Sequence, residues 1–351
     1  MQANTKTQPV NSLEVYVLAA GYGTRLKPLT DLVAKPALPI LGIPAIWYSL
    51  HWLRQSSLFN RVHINLGHLS ETLDAALNAY NAKCEPLTFI KSYEHPTVLG
   101  SAGAFYKFKN DFVNKTILVH NADTICFADI KALLKSHEVY REKARRPIMT
   151  LQVKAFNNPL DGSIYTNIDI LPSGQIIGLR EKRSQGTLFT GTYVIDGALL
   201  QGVPSGASEW RAEIFNPALA AQAVFAHVTD STWYDTGSLD ELLATTFSVY
   251  DDPSTQQFVK QHVGSRSVNG LPIYYDKHSI DVSTLDLFLR GVSITGPAYL
   301  SGDWINHQSE DIKTVGPNFV GLEPPAAALE APFSGVLANG VYLKTFVTNS
   351  K

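Results

Sequence analysis

The stretch Val15-Tyr-Val-Leu-Ala-Ala-Gly-Tyr-Gly-Thr-Arg-Leu-Lys-Pro-Leu-Thr30, followed closely by Lys35-Pro36 and Leu38-Pro39-Ile40, decides how this chain is read. Valine, leucine and alanine as far as Ala20 make a short buried strand. Gly21 and Gly23 then let main-chain N–H groups approach a phosphate where a Cβ would clash. Arg25 and Lys35 bring positive charge to the same place. The spacing is not the Walker A pattern, because no Gly-Lys-Ser/Thr closes the loop. It is not the dinucleotide fingerprint either, because Leu26 stands where a third glycine belongs, and an NAD-binding oxidoreductase fails on that count.

The chain has 351 residues, 45% hydrophobic and 17% charged, which is enough material for a large core and about two domains. A formal charge of −2 from well-mixed residues gives no long-range positive field, which argues against nucleic acid or an anionic membrane as partner. Met1 to Ser12 is polar, without an apolar core of signal-peptide length, and no apolar run is long enough to cross a bilayer. A cytoplasmic protein is expected. Cys84 and Cys126, the two cysteines, fall in apparent core elements with no histidine at zinc spacing, so buried free thiols are expected, with a disulfide as the alternative.

Short β-rich runs at Val15–Leu18, Val62–Leu66, Leu87–Lys91 and Ile117–Val119 alternate with helical patterns, which predicts a parallel sheet with packed helices. One helix follows Pro44, with Ile46, Trp47, Leu50 and Leu53 on one face, and another follows Ser70 as its cap. From Ile148 to Ile195 longer β runs predict an antiparallel lobe, with Leu171-Pro-Ser-Gly174 as a turn. Ser208–Ala220 and Leu239–Tyr250 read as helices around a strand at Ala223–Val228. After Asp251-Asp252-Pro253 helical periodicity fades, and a second, β-rich domain is expected over 255–351, beyond a first domain over 12–252.

Leu18 to Thr30 with Lys35-Pro36 resembles, residue for residue, the signature L-A-A-G-x-G-T-R-L-x-P-L-T…K-P of the sugar-1-phosphate nucleotidyltransferases, or nucleotide-sugar pyrophosphorylases. In motif it is closest to mannose-1-phosphate guanylyltransferases and muramate-type uridylyltransferases. The resemblance implies a Rossmann-like α/β fold with a mixed, mainly parallel sheet and flanking helices, followed by a C-terminal β-rich domain. Related enzymes carry there a left-handed β-helix of hexapeptide repeats, which Gly264/Gly270 and Gly296/Gly302 echo without a sustained repeat. A degenerate β-helix and an unrelated β cap both stay open.

Four further segments are similar to family motifs. Val119-His-Asn-Ala-Asp123 ends an apolar strand in a carboxylate, where an open α/β sheet places its ligands. The family has Gly-Asp at this point and Ala122 departs from it. Trp233-Tyr-Asp235-Thr-Gly237-Ser238 is similar to W-x-D-x-G-T/S. By the resemblance Asp123 and Asp235 hold one Mg²⁺, an ion that takes a few oxygen ligands and keeps water and phosphate for the rest. Taken singly, Asp123 reads as well as a turn residue, and Asp235 as a cap for the helix near Leu239. Leu179-Arg-Glu181-Lys182 resembles E-K-P with Arg183 for the proline; the resemblance gives Glu181 the sugar hydroxyls and Lys182 the sugar phosphate. Tyr165-Thr166, against the family's Tyr-Gly, and Gly191 belong to the same sugar side. Glu94-His-Pro-Thr-Val-Leu99-Gly100-Ser-Ala-Gly103 is similar to E-x-x-x-L-G-T-A-G, with Leu99 and Gly100 at the base and Glu94 or His95 reading its edge. A glutamate there accepts from guanine N–H groups, which leans slightly to guanine.

The resemblance thus implies an enzyme that condenses a nucleoside triphosphate with a sugar 1-phosphate. Leu18, Ala20, Gly21, Gly23, Thr24 and Arg25 would hold the nucleotide, with Arg25 at the leaving phosphates and Lys35 beside the attacking one. Uridylyl transfer to another sugar and a non-catalytic nucleotide-sugar sensor are the competing readings, and the resemblance is compatible with a homo-oligomer.

Overall fold

A computed structural model describes residues 12–157, 165–182, 185–268 and 270–277, with strand segments at 293–294, 298–300, 314–315, 319–322, 333–338 and 341–346. The apolar runs become a seven-stranded sheet built from β1 (Ser12–Leu18), β2 (Arg61–Leu66), β3 (Thr88–Tyr93), β4 (Lys115–Asn121), β6 (Met149–Asn157), β9 (Gln185–Asp196) and β10 (Val224–Thr229). The order is β10-β6-β9-β4-β1-β2-β3. Only β9 runs against its neighbours; the other pairings in the sheet are parallel. A sheet covered on both faces needs side chains that are apolar throughout, and Val15, Tyr16 and Val17 are all buried.

Helices α1 (Ala45–Gln55) and α2 (Ser70–Lys83) pack against one another, with Trp47 Nε1 donating to the Ala76 carbonyl at 2.8 Å. Ser70 is not the cap of α2. Leu69, in the left-handed region at φ 51°, precedes the helix and no side chain caps it. α3 (Ile130–Ala144) is capped by Asp129, whose carboxylate accepts from Lys131 N and Ala132 N. The antiparallel lobe consists of the β6/β9 pair and the hairpin of β7 (Thr166–Ile170) and β8 (Ile176–Lys182), closed by the Gly174 N–H to Leu171 carbonyl bond. The stretch expected to be helical from Ser208 winds only from Arg211, as a π-helical turn to Phe215 that continues as an α-helix over Asn216–Ala220. Both cysteines are free, Cys126 buried and Cys84 half-buried. Among the described residues no helix is long and apolar enough to cross a membrane.

α4 (Leu239–Ser248) and α5 (Gln256–His262) lead to a second sheet, and α5 was not foreseen in a region read as β-rich. Its order is β12 (Val263–Val268), β13 (Leu271–Asp276), β14 (Ala298–Leu300), β15 (Phe319–Leu322), β17 (Val341–Phe346), β16 (Phe333–Ala338). Gly264 and Gly270 belong to the antiparallel β12/β13 hairpin, not to a coil; Gly296 and Gly302 lie outside the described residues. Beyond that hairpin, β14, β15 and β17 add in parallel, and Ala298 pairs with Phe319 and Val320 with Val341, both at an offset of 21 residues. The separate pair Ser293 with Thr314 keeps the same offset. Twenty-one is not a multiple of six, which is why a search for hexapeptides finds no run.

The two sheets share one core. Tyr274 and Tyr299 are buried with Leu41, Tyr48 and Phe258. Tyr299 seats against Gly42 of the small hairpin Pro39–Ile40/Ile43–Pro44, where φ is 72° and a Cβ would collide with the phenol ring.

Candidate active site

β1 delivers the glycine loop to the carboxyl edge of the sheet, where open α/β folds take their ligands. The Ala19 N–H donates to Asn65 Oδ1 at 2.7 Å, and the Gly23 carbonyl accepts from Leu26 N at 2.8 Å and Thr30 Oγ1 at 2.9 Å. Leu26 and Leu29, both buried, anchor the loop from below. A cavity opens above it, lined by Leu18, Ala20, Gly21, Lys35, Gly100 and Asp123, all expected there from the sequence. Asn65, Ser101 and Asn121 also line it and were not foreseen.

β4 ends at Asn121, and the Ala122 N–H donates to the Leu18 carbonyl at 3.0 Å, so Asp123 emerges beside the loop. His120 fixes this strand end from inside, with its ring nitrogens 2.9 Å from Ser49 Oγ and 2.8 Å from Thr192 Oγ1. Complete burial pulls its pKa down to about 4, so the ring is neutral. The chain then forms β5 (Thr124–Ile125), which pairs antiparallel with β11 (Tyr234–Asp235), Thr124 opposite Asp235. Asp235 on β11 is thereby brought beside Asp123, the residue that enters β5, 112 positions earlier in the chain. Tyr234 braces β11 from the other side through its hydroxyl, 2.7 Å from Asp252 Oδ2.

Charge concentrates here. Lys35 Nζ lies 2.6 Å from Asp123 Oδ2, the lysine buried and the aspartate about one-third exposed. A Cβ added to Gly237 would stand 2.8 Å from Arg25 Nη2 and 3.0 Å from Asp235 Oδ1, so guanidinium and carboxylate share the space above that glycine. Burial, then the neighbouring Glu241 and Asp123 carboxylates, push the Asp235 carboxyl up to about 6, against the pull of Lys35 and Arg25. The helix cap beside it is Ser238, whose hydroxyl accepts from Glu241 N at 3.3 Å and donates to Glu241 Oε2 at 2.9 Å. Asp235 is left for other work.

A divalent cation fits this donor set. The carboxylates are oxygen ligands, burial and then the neighbouring carboxylates raise the pKa of Asp235, and Mg²⁺ asks for few protein ligands. No group of three or more candidate metal-ligating side chains occurs among the described residues.

Where the base was expected, Glu94 is buried and both its oxygens are engaged. Asn65 Nδ2 donates to Oε1 at 2.8 Å and the Leu99 N–H to Oε2 at 2.7 Å. The glutamate holds the Leu99–Gly100 turn in place rather than facing the opening; His95 is exposed. Gly100 has φ 73°, and a Cβ there would stand 2.6 Å from the Ser208 carbonyl, so only glycine lets the 206–210 segment close over this turn. Ser101 ties the same segment down by donating to Glu209 Oε2 at 2.9 Å.

Where the sugar was expected, Gly191 sits at a β9 bulge next to Asn121 and Thr124. The Tyr165 hydroxyl is 3.5 Å from Glu241 Oε1 and its ring packs edge-on against Trp233 at 5.3 Å. Glu181 and Lys182 end β8, and their side chains, like Arg183, lie outside the described residues.

Main-chain amides and two basic side chains set against paired aspartates are what a protein needs to grip a polyphosphate, and an α/β sheet presents them here at its ligand-binding edge. The chain belongs to the nucleotidyl transferase family, whose model matches residues 15–251. It is 24% identical over 327 residues to a UTP–glucose-1-phosphate uridylyltransferase of Synechocystis, a match covering 88% of this chain and 78% of that one. With a mannose-1-phosphate guanylyltransferase of Mycobacterium tuberculosis it shares 25% identity over 269 residues, 74% and 70% of the two chains. The structure of HddC from Yersinia pseudotuberculosis superposes with a TM-score of 0.56 at 21% identity, over 67% of this chain and 98% of that one, a likeness of fold. The resemblance read from the sequence holds, and the protein is an enzyme of the sugar-1-phosphate nucleotidyltransferase type.

Proposed function

We propose that the protein transfers the guanylyl group of GTP to a sugar 1-phosphate of the mannose kind, yielding a nucleotide-diphospho-sugar and pyrophosphate. The observation that carries nucleotidyl transfer is the β5/β11 pairing, which gathers Asp123 and Asp235 with Lys35 and Arg25 over the glycine loop. A phosphate oxygen of the sugar 1-phosphate attacks the α-phosphorus in line, and the bond to the β-phosphate breaks as pyrophosphate departs. The nucleophile is already an anion, so no general base is needed, and catalysis rests on positioning and charge neutralisation. Arg25 offsets the charge on the leaving phosphates. Lys35 and Lys182 hold the attacking phosphate, and Glu181, Tyr165 and Gly191 form the sugar side. Asp123 and Asp235 would hold Mg²⁺, which when bound neutralises charge on the α-phosphate.

Uridylyl transfer is the second reading. Glu94, the residue that leaned toward guanine, spends both oxygens inside the protein, and the Synechocystis uridylyltransferase matches along most of the chain. Pyrophosphate release measured across a grid of nucleoside triphosphates and sugar 1-phosphates decides between them. GTP with mannose 1-phosphate as the fastest pair supports the guanylyl reading, and UTP with glucose 1-phosphate as the fastest replaces it. Tight nucleotide-sugar binding with no turnover in any well overturns transfer in favour of sensing. A cytoplasmic location, and residues 12–252 as the catalytic unit with 255–351 as its β-rich companion, go with this reading.

A further inference from the structure

The Lys35 ammonium and the Asp123 carboxylate form an ion pair at 2.6 Å, directly over the carboxylate oxygen that a cation would need. The pair is built into the loop. Lys35 opens the short 3-10 turn Lys35–Ala37, and Pro36 and Ala37 beside it are buried, so the side chain reaches Asp123 from a fixed base. The main chain of Asp123 is braced as well, its carbonyl accepting from Thr236 N at 3.2 Å and Thr236 Oγ1 at 2.8 Å. A divalent cation approaching the free protein therefore meets a positive charge first, and must displace it to reach Oδ2. A polyphosphate changes the balance, because it offers the ammonium several charged oxygens and offers the metal further ligands.

We propose that Lys35 is the internal counter-ion that keeps the two-aspartate site closed to free metal until a polyphosphate draws the ammonium off Asp123, so that metal and nucleotide enter together. This rests on the nucleotidyl-transfer reading above. Lys35 then serves twice: it guards the carboxylate in the free enzyme and, once the polyphosphate has drawn it off Asp123, is released to hold the attacking phosphate when the sugar 1-phosphate follows.

The test is Mn²⁺ binding to nucleotide-free protein, read by electron paramagnetic resonance and titration calorimetry. Wild type should bind weakly. Lys35→Met, which keeps length and removes charge, should bind Mn²⁺ about ten- to a hundredfold more tightly, the order expected for removing one unit charge from ion-pair distance in a partly screened site. Lys35→Arg should stay at the wild-type level, and Lys35→Gln replaces Lys35→Met if the latter gives no native unfolding transition. Equal affinity in wild type and the neutral variant, or a gain that persists in the Lys35→Met/Asp123→Asn double variant, overturns the proposal. Failure of the underlying reading looks different: Asp123→Asn and Asp235→Asn would then take up Mn²⁺–GTP and Mn²⁺–UTP as well as wild type does.

Discussion

Thr236 donates both its backbone N–H and its hydroxyl to the carbonyl oxygen of Asp123, at 3.2 and 2.8 Å. These two hydrogen bonds tie the loop after β11 to the loop after β4, and with the β5/β11 pairing they brace the main chain that carries both aspartates. Thr236→Val keeps the shape and the N–H bond but loses the hydroxyl. Stability should fall by about 0.5–1.5 kcal/mol, the usual worth of one internal hydrogen bond. Turnover should fall about tenfold, because small misplacements of reacting groups are costly. Thermal unfolding and steady-state kinetics check the two figures, and unchanged turnover would mean that the aspartates do not need this brace.

Asp123→Ala and Asp235→Ala should each lose turnover on the order of a hundredfold or more, as removal of other preorganised charge-stabilising groups does. The measurement is pyrophosphate release at limiting Mg²⁺. Wild-type rates in both variants would take the metal role away from the pair.

Glu94→Gln separates a frame role from base reading. The Gln amide must set an NH₂ against either the Leu99 N–H or the Asn65 NH₂, both donors, so one buried bond is replaced by a clash of like groups. The expected result is a loss of about 1–3 kcal/mol in stability and a higher KM for the nucleotide, with base preference unchanged. A switch of preferred base at unchanged stability would return Glu94 to the edge of the base.

Asp196 predicts how stability responds to acid. Burial alone would raise its pKa, but bonds from His137 and the Ile148 N–H, with Arg141 nearby, hold it below the ordinary carboxylate value. A carboxyl depressed on folding contributes stability above its unfolded pKa of about 4, and that contribution is lost as pH falls through the lower folded value. Melting temperature should therefore decline below about pH 4. Asp196→Asn should melt lower at pH 7 and lose less between pH 7 and pH 3; parallel curves for the two proteins would exclude this residue as a source of acid sensitivity.

The sheet was legible because parallel strands, buried on both faces, read as short apolar runs, and the glycine loop because its residues are constrained one by one. The meeting of Asp123 and Asp235 was legible only through resemblance, since no local pattern encodes a two-residue β pairing across more than a hundred positions. Asn65 could have been noticed as a polar residue in the run Val62-His-Ile-Asn-Leu66, yet its partners Ala19 and Glu94 are visible only in three dimensions. Glu94 itself was placed correctly next to the turn, but which way a carboxylate faces is a matter of packing. Helix α5 escaped notice because seven residues are too few for a clear period.

Tyr299, seated on the Gly42 hairpin, reaches back more than 250 positions to within a few residues of Lys35. During synthesis the Gly42 hairpin must wait, with its socket for that ring empty, until Tyr299 has left the ribosome. Shortening the gene to a minimal enzyme ending near residue 250 would leave the socket permanently open to water and to other chains, and such a fragment should be sticky where the whole protein is not.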